Sequence, residues 1–258
     1  MTSSHPPLRL LPLTLVAVLS GCLADEPTVE SQTADQTAIR RVLLCQQGLS
    51  DRSFDWDKGL FALCESVQDE GFTLVWDGDY PAFGALDGHG AYQALFDTLD
   101  TDGDGLVDED DERSAIHLAG FSWGGMHLTK LASQLLEDER IIPARRGVMA
   151  MVLFDPYQPL TSLTIPANVL HAWVYRQSET SASDCAHDVS LGIGFNAAIP
   201  TDESELGWCA HYDLDAFLGE VGHCQVPSKA TQAAFVNLTE RDAYGPWADH
   251  AKACATDD

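Results

Sequence analysis

One short stretch of this chain has the residue types and the setting of a nucleophile: Gly120-Phe121-Ser122-Trp123-Gly124, followed by Gly125. It reads G-x-S-x-G. It stands between an apolar run, Ala115–Ala119, and a segment carrying Leu128, Leu131, Ala132 and Leu135 at helical spacing. A strand–turn–helix of this kind turns so tightly that side chains at the glycine positions would strike the adjoining strand and helix. The strained backbone lifts the serine hydroxyl above the sheet. There the N–H of Trp123 and the field of the helix N-terminus can hold a developing oxyanion. A serine hydroxyl is a weak nucleophile at neutral pH, so it needs a base, and the base needs an orienting carboxylate.

A second constellation precedes the nucleophile strand. Residues 100–111 read DTDGDGLVDEDD, with carboxylates at loop positions 1, 3, 5, 9 and 12 and Gly105 at position 6, where the chain must turn sharply. Hard Ca²⁺ takes about six to eight oxygen ligands at such spacing. The expected set is Asp100, Asp102, Asp104, the backbone carbonyl of Leu106, Asp108 and Asp111. An aspartate in place of glutamate at the last position resembles dockerin-type extracellular calcium loops. Binding would neutralise dense charge and fix the entry to the nucleophile strand. The ion is therefore expected to be structural, with no part in the chemistry.

The elements that must position these residues follow from hydrophobic pattern. Val42–Cys45 is a short apolar run ending at Gly48, a buried strand. Trp56, Leu60, Leu63 and Val67 mark a helix, Phe72–Trp76 a strand, and Tyr92, Leu95, Phe96 and Leu99 a second helix. After the nucleophile strand and its helix come strands at Val148–Phe154 and Val169–Val174. Alternation of this kind predicts βαβ units, and runs apolar on both faces predict a mostly parallel central sheet flanked by helices, in a single α/β domain. Residues 177–224 read as long loops pinned by disulfides. Leu214–Leu218 within this segment fits a strand, and a helix from about Ser228 to Leu238 follows.

The N-terminus calls for a different reading. Arg9 precedes an apolar run, Leu10–Leu19, too short to span a membrane, and Leu19-Ser20-Gly21-Cys22 follows. This resembles a bacterial lipoprotein signal, which implies cleavage after residue 21 and acylation of Cys22. Residues 22–40 are polar and aperiodic and read as a tether, with the folded domain, residues 41–258, starting at Arg41. Leu23 after the acylated position permits the outer membrane or cell surface of a bacterial envelope. Export leaves six cysteines for disulfides. The expected pairing is Cys45 with Cys64, and Cys185, Cys209, Cys224 and Cys254 among themselves. The formal charge of −26 repels phosphate backbones and argues against nucleic-acid partners.

GFSWGG followed by a helix, then VLFDPYQP after the next strand, resembles the α/β-hydrolase superfamily, most closely lipases that carry the acid in a D-P motif after that strand. The resemblance implies a serine esterase acting on carboxylic, lipid or acyl esters, with the order serine, acid, histidine. It assigns the acid to Asp155, which ends an apolar strand stopped by Pro156, with Glu179 and Asp184 as rivals after the fifth strand. It assigns the base to His223, with His211 as runner-up; His171 lies within a strand and His250 near the terminus. The oxyanion donors are Trp123 and, from the loop after the first strand, Gln47 or Leu49. Here the chain departs from the family, with Gln47-Gly48 where His-Gly is usual. Trp123, Trp208 and Phe195 are possible lining for an apolar acyl site. Two other readings compete: a calcium-dependent surface binding protein without turnover, and a zinc hydrolase using Asp184, His187, His211 and His223, whose spacings match no compact ligand motif.

Overall fold

The apolar run Val42–Cys45 forms the middle of β1 (Arg40–Gln46), buried on both faces from Val42 onward. The computed structural model describes residues 39–48, 58–76, 89–157, 163–177, 208–240 and 245–254, all within one compact unit, Thr37–Asp258. The signal segment, Cys22 and nearly all of the tether lie outside the described residues.

The elements continue as α1 (Lys58–Asp69), β2 (Thr73–Trp76), α2 (His89–Leu99), β3 (Ser114–Phe121), α3 (Trp123–Glu137), β4 (Val148–Phe154), β5 (His171–Arg176), β6 (Trp208–Asp213), α4 (Asp215–Leu218), α5 (Val226–Thr239) and β7 (Lys252–Ala253). The strands form one sheet in the order β2-β1-β3-β4-β5-β6-β7. Pairs from β2 to β6 are parallel, and only β7 is antiparallel. Alternation along the strands splits the core in two. Val42 and Leu44 of β1 join α2 and α3 on one face. Leu43 and Cys45 join α1 and α5 on the other. Each fully buried Leu or Val in these layers contributes on the order of 2 kcal/mol.

Two disulfides tie strands to neighbouring elements. Cys45–Cys64 links β1 to α1, and Cys209–Cys254 links β6 to the end of β7. Cys224 is disulfide-bonded as well. The first pair is the expected one, and the second falls within the expected group of four.

Three boundaries differ from expectation. The segment read as loops, 177–224, contains β6, a sixth parallel strand whose Ala210 and Tyr212 are buried against the α5 face. Polar residues on both flanks hide its short apolar pattern. Leu214–Leu218 is not a strand. Leu214, Phe217 and Leu218 fall at helical spacing, the Leu218 N–H donates to the Leu214 carbonyl, and the Asp215 carboxylate accepts from the Val221 N–H to close the turn. The fifth strand runs His171–Arg176 rather than Val169–Val174, because Asn168, Val169 and Leu170 make only an irregular bridge to Val148.

Candidate active site

The elbow is built as its glycines require. Ser122 adopts φ 55°, ψ −123°, a region that L residues rarely occupy. Its N–H donates to the Phe154 carbonyl at 2.9 Å, and its own carbonyl accepts from the Tyr157 N–H at 3.0 Å. These bonds over-determine the strained residue by tying it to the end of β4. A Cβ on Gly124 would lie 2.3 Å from the carbonyl oxygens of both Gln46 and Gln47, and one on Gly48 would lie 2.8 Å from Ser122 Cβ. The loop leaving β1 therefore runs directly against the Ser122 turn.

Asp155 follows β4 with φ 39°, its N–H donating to the Tyr175 carbonyl. That left-handed residue swings its carboxylate across the end of the sheet toward α5, while Pro156 packs where a Gly125 side chain would stand. His223 comes from a single 3₁₀ turn, His223–Gln225, between Gly222 and α5. Its ring packs on Phe121 with centroids 4.8 Å apart. Nδ1 lies 2.6 Å from Asp155 Oδ2, and Nε2 lies 3.0 Å from Ser122 Oγ. An ionised carboxylate only accepts, so Nδ1 carries the proton and Nε2 is left to accept from the serine hydroxyl. All three residues are at least nine-tenths buried.

Gln177, one residue beyond β5, was not singled out from the sequence. Its Nε2 donates at 3.2 Å to the same Asp155 oxygen that faces His223, and its side chain is buried. The available signal was its place: it begins the segment after the fifth strand, where the rival acids Glu179 and Asp184 were sought. Those two residues, with His187, Leu49 and Phe195, lie outside the described residues. His211 lies within β6, paired in register with Val174, and His171 opens β5, so neither replaces His223. His250 stacks on Phe217, centroids 4.1 Å apart. Both nitrogens of His223 are engaged by Asp155 and Ser122, which opposes the zinc reading. Trp123 opens α3 beside Ser122, its ring 5.2 Å from that of Tyr157, and Gln47 is buried against the elbow. Trp208 opens β6.

The acidic loop folds around its own carboxylates. Asp100 accepts from the Gly103 and Gly105 N–H groups, Asp102 from Asp104, and Asp104 from Leu106. Gly103 and Gly105 take φ 78° and 88°, which the tight turn demands. Oxygens of Asp100, Asp102 and Asp104 lie within 4.8 Å of one another. Buried Asp111 reaches back to Thr101 and Asp108. The Asp102 carboxyl is held above its usual range: the Asp104 N–H lowers it, but partial loss of hydration together with repulsion from Asp104, Asp111 and Asp100 outweighs that bond. Asp111 is lowered, because N–H donors from Asp108 and Thr101 outweigh its burial. The bridge from Val107 to Ile141, with Arg145 donating to the Asp111 and Glu112 carbonyls, ties the loop to the chain beyond α3.

A serine elbow at the C-terminal edge of a parallel sheet, between two layers of helices, defines the α/β-hydrolase fold, and this chain has it. No family model matches the sequence, and no curated protein does. Similar solved structures include a protein described as a hydrolase of the alpha/beta superfamily from Xanthomonas campestris pv. campestris, at 18% identity and TM-score 0.39, covering 78% of this chain and 97% of that one. Est1E from Butyrivibrio proteoclasticus is 10% identical at TM-score 0.41, covering 81% and 89%. A protein described as a carboxylesterase from Lactobacillus plantarum is 14% identical at TM-score 0.43, covering 80% and 91%. The functional reading rests on the site's own geometry.

Proposed function

We propose that this protein is a serine hydrolase that cleaves carboxylic esters through Ser122, His223 and Asp155. The supporting observation is the unbroken chain of hydrogen bonds from Ser122 Oγ through the imidazole to Asp155 Oδ2, at 3.0 and 2.6 Å. His223 Nε2 takes the hydroxyl proton as Ser122 Oγ attacks the ester carbonyl, and Asp155 steadies the imidazolium that forms. The Trp123 N–H, joined by a donor from the Gln47 segment, stabilises the oxyanion. His223 then protonates the leaving alcohol, and water attacks the acyl-enzyme by the same route in reverse. A fluorophosphonate probe tests this directly. Labelling is expected in the native chain and absent in Ser122→Ala; an unlabelled native chain would sink the reading. A buried, positioned imidazole favours turnover over the calcium-dependent binding protein.

The loop at residues 100–111 is proposed to hold a structural Ca²⁺. Its carboxylates and the Leu106 carbonyl form an all-oxygen donor set that suits a hard cation. The ion would supply charge neutralisation and rigidity at the entry to β3. We further propose that the protein is exported and anchored through acylated Cys22 in a bacterial envelope, at the outer membrane or cell surface. Its disulfides are consistent with an oxidising compartment. Among the described residues no helix is long and apolar enough to cross a membrane. Substrates are small-molecule or lipid esters.

A further inference from the structure

Beside the elbow, at the end of β1 and the start of α3, three side chains keep buried polar atoms without any hydrogen-bond partner: both amide atoms of Gln46, the amide nitrogen of Gln47 and the indole nitrogen of Trp123; beyond β4 and β5, Asp155 Oδ1 and Gln177 Oε1 are unpartnered as well. Gln46 is 1% exposed and Gln47 4%. Folded proteins pair almost all such groups, because an unpaired one loses its hydration for nothing in return. Buried Asn237, deeper in the core, bonds the Tyr175 hydroxyl.

Their placement puts them around the nucleophile. Gln46 ends β1 in register with Gly120 of the elbow. Period-two alternation sets its side chain on the face of Val42 and Leu44, and Trp123 packs against that same cluster. Gly124 presses on the Gln46 and Gln47 carbonyls, and Gly48 presses on Ser122. His223 approaches from the opposite face, through Phe121 and the start of α5. The alcohol it protonates therefore departs on the α5 side. The acyl group, still bonded to Ser122 Oγ, is left on the side of Gln46 and Trp123.

We propose that Gln46, Gln47 and the Trp123 indole form a polar acyl subsite that binds a neutral, oxygen-bearing group of the substrate. The orphan atoms of these three side chains comprise three nitrogens that donate and one amide oxygen that accepts, with no charged group among the three. A hydroxyl, ether or carbonyl oxygen on the acyl chain matches this set; a plain hydrocarbon leaves it unpaired. The subsite rests on the esterase reading above and narrows its substrates to oxygen-substituted acyl esters.

The test compares two isosteric substrates, p-nitrophenyl hexanoate and p-nitrophenyl 4-methoxybutanoate, on the native chain and on Gln46→Met, which keeps length and removes both polar atoms. The native chain is expected to prefer the methoxy ester in kcat/KM by about tenfold or more, since a site built for hydrogen bonds rejects the analogue lacking them. Gln46→Met is expected to abolish most of that preference and to melt no lower than the native chain. Equal rates on the two esters, or a preference unchanged in Gln46→Met, overturn the subsite while fluorophosphonate labelling of Ser122 leaves the hydrolase reading standing. Absence of that labelling overturns both.

Discussion

His223 Nδ1 meets Asp155 Oδ2 at 2.6 Å across 68 positions of chain. The contact exists because β4 ends in a residue with φ 39° and α5 begins with a single 3₁₀ turn. It fixes which imidazole nitrogen carries the proton. Asp155→Asn keeps the shape but offers an amide that can donate to Nδ1 and so favours the wrong tautomer. The expected result is a fall in kcat of about 10³–10⁴-fold on p-nitrophenyl esters with a nearly native melting temperature. A loss below tenfold would show that another carboxylate serves the base.

Gln177 shares the Asp155 oxygen with His223. Replacing it by Leu removes a neutral donor and is expected to lower kcat/KM by about three- to tenfold. Gln177→Glu is the sharper variant, because it sets a second negative charge beside the pair. That charge favours the protonated imidazole, so the free base is regained only at a higher pH. The acid limb of the kcat/KM profile is expected to move to higher pH in Gln177→Glu and to stay in place in Gln177→Leu. A residue that only filled space would move neither.

Gly48 and Gly124 separate chemistry from stability. A methyl at Gly124 meets two carbonyl oxygens of β1's exit loop at 2.3 Å, and backbone cannot yield as a flexible side chain does. Gly124→Ala is expected to lose roughly 3–5 kcal/mol of stability in denaturant titration. A methyl at Gly48 meets Ser122 itself, 2.8 Å from its Cβ. Gly48→Ala is expected to melt closer to the native chain than Gly124→Ala, yet lose about 10²-fold in kcat through a displaced hydroxyl.

Five of the six parallel strands, and the elbow, were legible because each is a local pattern: an apolar run with glycine or polar residues at its ends. That Ser122, Asp155 and His223 meet follows the expectation that an elbow motif implies its partners in chain order. What escaped was non-local. Gln177 is an ordinary polar residue after a strand until the sheet brings it to Asp155. β6 has only Cys209 on one face and Ala210 and Tyr212 on the other to mark its burial, and its status depends on β5 being there to pair with it. Leu214–Leu218 misled because five residues with apolar ends fit a strand as well as one helical turn. The orphan amides of Gln46 and Gln47 are visible only where burial and missing partners are both known.

Asp138 makes a pH prediction. Arg140 clamps it through paired hydrogen bonds, with Arg140 Nη2 at 2.7 Å from Oδ2, and the Tyr92 hydroxyl donates to the same oxygen. The Arg140 bonds hold its carboxyl well below the ordinary range, burial opposes them, and Tyr92 adds to the lowering. A carboxylate lowered on folding stabilises the native state above its unfolded pKa of about 3.9, and that contribution is lost as pH falls through the folded value. The native chain is therefore expected to melt higher than Asp138→Asn at pH 7, and the gap should narrow as pH falls below about 3.9. A gap independent of pH would assign the effect to lost packing alone.

The calcium proposal has a thermodynamic signature that needs no activity. A ligand that binds only the folded chain stabilises it by about 2.7 kcal/mol at a hundred times its dissociation constant. For a domain of this size that is a rise of roughly 5–10 °C in melting temperature between chelator and millimolar Ca²⁺. Asp102 and Asp104 are exposed in the loop, so replacing both by Asn removes cation ligands without opening the core. The double variant is expected to melt at one temperature in chelator and in Ca²⁺. Its melting temperature in chelator should equal or exceed that of the native chain, because the repulsion holding Asp102 above its usual range is relieved. A native chain indifferent to Ca²⁺ would leave these acids as a solvated turn held by its own backbone bonds.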